Sequence, residues 1–201
     1  MRRKTFDMIL TAGGAVLVVV LLAAGGLGMW GYNYANSNVH DQLAQQQITF
    51  PPAAAFANAK AGTEITPSMI PSVSQYAGQQ LLTGQQAEAY ANHFIAVHLS
   101  EMPYGGVYAK ASAAAMAQPT NTALAGEVNT IFKGTTLRGL LLEAYAFWTI
   151  GQVALVGAIV SFVLAGIMLV LTMLGMLHLR RVPEDAEFPK PHVQERVLET
   201  V

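Results

Sequence analysis

Five histidines, His40, His93, His98, His178 and His192, are the side chains best suited to bind a metal or to move a proton near neutral pH. On a helix, His93 and His98 lie about 140° apart around the axis, too far round to share one ion. His98 and Glu101 have the i, i+3 spacing of a di-iron carboxylate site. That motif runs Glu-x-x-His in two copies with extra glutamates, however, and here one reversed copy stands alone. His98 also falls on an apolar helical face, as a packed histidine bonded to a neighbour would. A haem needs an axial His or Met deep in a bundle. Met168, Met173, Met176 and His178 lie in or beside a long apolar stretch, where methionine is ordinary lipid-facing filler.

Other chemistries find less. The chain has no cysteine, which removes disulfides, thiolate metal sites and iron–sulfur clusters. No G-x-S-x-G elbow, Ser-x-x-Lys pair or phosphate-binding glycine loop after a strand occurs. The acids of the middle segment, Asp41, Glu64, Glu88, Glu101, Glu127 and Glu143, are scattered. The sequence therefore points to no catalytic residue, metal or cofactor. Arg138 and Glu143, on the helix leading into the second apolar stretch, are read as interfacial charges, or as contacts to a partner subunit or lipid headgroup. A net charge of -1 gives no electrostatic case for nucleic acid.

The elements that carry these residues are set by two long uncharged stretches. Hydrophobic residues make up 53% and charged residues 11% of the 201, against about a quarter charged in soluble domains. From Met8 to Trp30 no ionisable side chain occurs over 23 residues. As a helix that reaches about 34 Å, enough for a hydrocarbon core of about 30 Å. Arg2, Arg3 and Lys4 precede it and Trp30, Tyr32 and Tyr34 follow, as in a signal anchor with its N-terminus inside. A cleaved signal peptide would have a much shorter apolar region.

The second stretch, between Glu143 and His178, lacks charge for 34 residues. It is longer than one bilayer needs, so the helix is expected to start outside, enter near Trp148 and leave near His178. Arg180 and Arg181 follow and place the C-terminus inside too. Expected, then, is an all-α membrane protein, with two transmembrane helices flanking a small extracytoplasmic helical bundle. Residues 1–7 form a cytoplasmic N-terminus, 8–30 the first span, 31–147 the outer domain, 148–178 the second span and 179–201 a cytoplasmic tail. Both termini face the cytoplasm in a multi-pass plasma-membrane protein.

Gly157, Ser161 and Ala165 recur at every fourth position of the second span, and Ala24 and Gly28 share that spacing in the first. Small side chains permit close helix approach in lipid, either between this chain's own helices or with another membrane protein. In the middle segment, residues 32–47 can continue the first helix. Residues 48–74, with four prolines, read as an extended connector. Thr83 and Gln86 form a capping-box pair ahead of Ala87, Tyr90, Ala91, Phe94, Ile95, His98 and Leu99 on one helical face. A second helix is expected over 107–117 and a third over 121–132. Gly134 then breaks the chain, and Thr135 caps a final helix that merges into the second span. The tail 180–201 reads as disordered or partner-bound. Its ending, Glu199-Thr200-Val201, has the form of a peptide captured by its carboxylate.

The runs AYANHFIAVHLSEM (89–102), QPTNTALAGEV (118–128) and TLRGLLLEAYAFWTIG (136–151), with the opening MRRKTFD and FPP at 50–52, resemble a family of actinobacterial two-span membrane proteins of unknown function. The resemblance covers most of the chain except the tail. It implies an actinobacterial plasma-membrane protein with an extracytoplasmic helical domain. Members are sometimes called ring-opening dioxygenases, but no His/Glu iron-ligand constellation is present here, so that activity does not carry over.

The expected role is a non-enzymatic accessory or scaffold subunit of a larger membrane assembly, respiratory or envelope-related. Its partners would be membrane lipid and another integral membrane protein or a second copy of the chain, and not nucleic acid. An extracytoplasmic binding module or sensor is the alternative, with an enzyme or metalloprotein third.

Overall fold

In the computed structural model residues 3–183 are described, and over them the chain is helical, with one isolated β-bridge, Thr49 to Gln80. Helix α1 runs Arg3–Gln46 and carries the first apolar stretch directly into residues 32–46, which hold neither Pro nor Gly. Short helices α2 (Ala53–Ala57) and α3 (Ile70–Val73) follow, then α4 (Gly84–Tyr90), a π-helical turn over Ala91–Ile95, and α5 (Ala96–Glu101). Helix α6 runs Tyr108–Ala117 and α7 runs Thr122–Leu179. Both α1 and α7 are long and apolar enough to cross a membrane. Only 11% of the most apolar stretch of each is buried, whereas a soluble core helix of that length would be mostly buried. The tail's proposed carboxylate peptide lies outside the described residues, as do Arg2 and His192.

The chain divides into two compact units, one of Met1–Gly28 with Val156–Val201 and one of Met29–Leu155. In the first, α1 and α7 pack antiparallel. Gly14 lies against Thr172, Gly175 against Thr11, and Gly25 against the ring of Phe162. Sheltered positions on α1 follow a strict alternation of three and four: Lys4, Asp7, Thr11, Gly14, Val18, Leu21, Gly25, Gly28. Those on α7 do the same: Ala158, Ser161, Ala165, Met168, Thr172, Gly175, Leu179. Every other described residue of these stretches is exposed. A repeat of 3.5 keeps one seam facing its partner, as in coiled coils.

The second unit has a core of large side chains. Phe50, Met69, Val73, Leu81 and Leu141 are each at most 2% exposed and pack with Val39, Leu43, Ala87, Ala91 and Ile95. Rings run in contact from Tyr76 through Phe50, Tyr90 and Phe94 to His98, with centroids 4.6 to 5.3 Å apart.

Two expectations need correction. Residues 48–74 are not merely an extended connector: they contain short helical turns and bury Phe50, Phe56, Ile65, Met69 and Val73. Prolines obscured this, because they start helical turns at Pro67 and within Ile70–Val73 rather than only interrupting them. Nor does Gly134 break a helix, or Thr135 cap one; α7 is continuous through both. A helical glycine costs about 1 kcal/mol against alanine but does not end a helix. Here the absent side chain makes room for Leu99, whose Cδ2 lies 2.9 Å from where a Cβ would stand.

Candidate functional site

The Thr83–Gln86 capping box forms as the sequence indicates. The Gln86 amide N–H donates to Thr83 Oγ1 at 3.2 Å, and Gln86 Oε1 accepts from the amides of Thr83 and Leu82 at 3.1 and 2.8 Å. The buried Gln86 side chain also donates through Nε2 to Gln79 Oε1 at 3.0 Å, so both its oxygen and its nitrogen serve the cap and its surroundings. This anchored start lets α4 bring its apolar face onto the core. Helix α5 ends at a tight turn in which Tyr104, Gly105 and Gly106 take positive φ. At Gly106 a Cβ would stand 2.2 Å from the Leu99 carbonyl oxygen, so the turn requires glycine.

His98 Nδ1 donates to the Phe94 carbonyl oxygen at 2.8 Å. Since a carbonyl only accepts, Nδ1 holds the proton in this arrangement. The ring packs on Phe94, and His98 is half-buried at the end of this row of rings. His40 Nδ1 lies 3.2 Å from Asp41 Oδ1 in an exposed pair. His178 Nε2 lies 3.7 Å from Asp7 Oδ2, and Arg3 Nε 4.0 Å from the same oxygen, both beyond hydrogen-bond distance. Among the described residues no three His, Cys, Asp or Glu side chains come together as a metal site would need. Burial pushes the Tyr90 phenol above its ordinary range, and the nearby Glu64 carboxylate adds to the effect.

Arg138 and Glu143 are taken to different places. Arg138 Nη2 donates to Asn92 Oδ1 at 2.8 Å, and Asn92 Nδ2 donates to Glu88 Oε1 at 2.8 Å. The half-buried guanidinium thus ties α7 to the π-helical turn, with its Nε left without a partner. Asn92 was not among the sequence candidates; it is 46 residues from Arg138, and no local pattern joins them. Glu143 is exposed and lines a groove of about 460 Å³ between residues 34–46 of α1 and 137–147 of α7. Tyr34, Asn38, Gln42 and Gln46 line it from α1, and Leu137, Leu140, Ala144 and Phe147 from α7. A signal for it was present: Asn38, Gln42 and Gln46 form an i, i+4 row of amides.

Of the small residues, Ala165 is 2% exposed and Ser161 and Gly28 are half-buried along the seam. Gly157 and Ala24 are exposed, and a Cβ on Gly157 would meet nothing within 4 Å. Ala158 sits in the seam instead, at 1%. Steps of four overshoot a turn by about 40° at 3.6 residues per turn, so an unbroken i+4 stripe drifts off the contact line. Thr172, 6% exposed, has a hydroxyl with no hydrogen-bond partner.

Comparison with protein-family models, curated proteins and solved structures gives no match.

Proposed function

We propose that this chain is a non-enzymatic accessory or scaffold subunit of a larger plasma-membrane assembly. In this reading α1 and α7 span the bilayer, residues 31–147 lie outside the cytoplasm, and both termini lie within it. One observation carries the reading: large apolar side chains stand unburied on α6 and α7 of the second unit, away from the uncharged stretches. Met116 is 74% exposed, Leu140 59% and Phe132 52%. Large apolar side chains left exposed outside the membrane-spanning stretches are candidates for contact with another protein. The likeness to actinobacterial two-span proteins supports the cellular setting, and the basic residues at Arg3, Lys4, Arg180 and Arg181 support the orientation.

Purification of the full chain in mild detergent tests it. The chain should elute well above its own 21.4 kDa plus micelle and bring specific membrane proteins with it. Replacing Phe132 and Met116, neither of which lines the groove beside Glu143, with serine should cut recovery of those partners about tenfold, the effect of losing an interface anchor. A chain that elutes alone and crosslinks to nothing overturns the proposal. The binding-module alternative is favoured by the groove beside Glu143 and would show as a reproducible thermal shift with a small molecule.

A further inference from the structure

The groove between the outer parts of α1 and α7 is built in an order that suits an amphiphile. Tyr34 and Phe147 stand at one end, one helical turn from Trp30 and next to Trp148. Beyond them Ile150 and Val153 are 64% and 68% exposed, so the groove opens onto a strongly apolar surface of the same two helices. Gln42, Gln46 and Glu143 lie farther from that end. From Tyr34 to Gln46 the groove follows α1 for about 18 Å at ~1.5 Å per residue. Its volume falls within the roughly 300–1,000 Å³ of small-molecule sites. Among the described residues lining it, Glu143 is the one carboxylate, and no lysine, arginine or histidine is present.

We propose that this groove holds one acyl chain of a phospholipid with an amine headgroup, raised partly out of the adjoining leaflet. The chain lies beside Phe147, Ala144 and Tyr34, and the ammonium meets Glu143 with the glutamine amides around it. Apolar continuity with the lipid-facing surface selects a lipid over a soluble ligand. The lone carboxylate selects an amine headgroup over an anionic one, since an anion would meet Glu143 with no cation to offset it. The proposal goes beyond the accessory-subunit reading and shares with it only the bilayer-spanning topology.

The test uses the full chain, purified alone and placed in bilayer discs of equal phosphatidylethanolamine and phosphatidylglycerol. Native mass spectrometry should find one retained lipid, with phosphatidylethanolamine favoured about two- to five-fold, the scale of one exposed ion pair. Glu143→Gln should bring that ratio to about one while leaving a lipid bound. A phosphatidylethanolamine with a photoreactive acyl chain should label residues 137–147, and Ala144→Phe should reduce that labelling with helical content unchanged by circular dichroism. Absence of a retained lipid overturns the proposal. So does a headgroup ratio that Glu143→Gln leaves unchanged, or labelling confined to 156–179. Because no partner is present, failure here leaves the accessory role standing, and loss of the partner leaves this site standing.

Discussion

The same two helices sort their side chains in opposite ways in the two units. Along 156–179 of α7, the most deeply buried seam positions carry small or short side chains, while most large ones point away: Ala158 is 1% and Ala165 2% exposed, against 58% for Val163 and 52% for Ile167, with Met168 and Leu179 half-buried in the seam. In the unit of 29–155 a core of large residues is inside, with Phe50 at 1%, Met69 at 0% and Leu141 at 2%, while Gly139 and Glu143 face out and the exposed Ile150 and Val153 belong to the uncharged stretch of α7. Water drives large apolar groups together, so a unit surrounded by water buries them. Lipid is as apolar as leucine and gives no such drive. There, close backbone packing through small residues decides the contact. The proposed topology accounts for both patterns. Leu140, Phe132 and Met116 depart from the water-facing rule, which is why they support a partner surface.

The comparison can be broken at several points. Phe50→Ala should cost the second unit about 3–5 kcal/mol, as loss of a fully buried ring does. Val153→Ala, on an exposed position, should change stability by less than ~0.5 kcal/mol. Reversible unfolding in mild detergent reads both, and equal effects would mean that the core assignment is wrong. In the seam, Ala165→Leu should cost about 1–3 kcal/mol by overpacking, while Gly157→Leu, which meets open space, should not loosen the helix pair. Pulsed spin-label distances between positions 10 and 171, both exposed, would show the first separating the helices and the second leaving them in place.

Smaller effects sharpen the picture of the second unit. Thr83→Ala removes half of the capping box and should lower its stability by about 1 kcal/mol, with amide exchange quickened at the start of α4. Tyr90 should give the weakest signal. Its folded phenol ionises at higher pH than its unfolded one, so its contribution to stability is complete below about pH 10 and falls as pH rises from there through the folded value. Tyr90→Phe should flatten that alkaline loss; an unchanged slope would assign it to other groups.

Much of this arrangement was legible beforehand. The uncharged stretches, the continuation of α1 past Trp30, the Thr83–Gln86 cap, the apolar face from Ala87 to Leu99, and α6 all follow from local rules. Charge-free length, capping chemistry and 3.6-residue periodicity act over a few turns of chain. The notable failures involved distance. Gly134 looks like a stop only until Leu99 is placed beside it, and 48–74 looks like a connector only until Phe50 meets Tyr76 and Tyr90.

What the amino-acid order determines by itself is a helical chain with two stretches of bilayer length, because backbone propensity and side-chain polarity are properties of neighbouring residues. Tertiary structure alone decides that Ala158 rather than Gly157 enters the seam, that Arg138 turns inward to Asn92, and that Glu143 remains at a groove. Each depends on which surface of a second element comes opposite. That is set by packing between segments far apart in the chain, and no local pattern carries it.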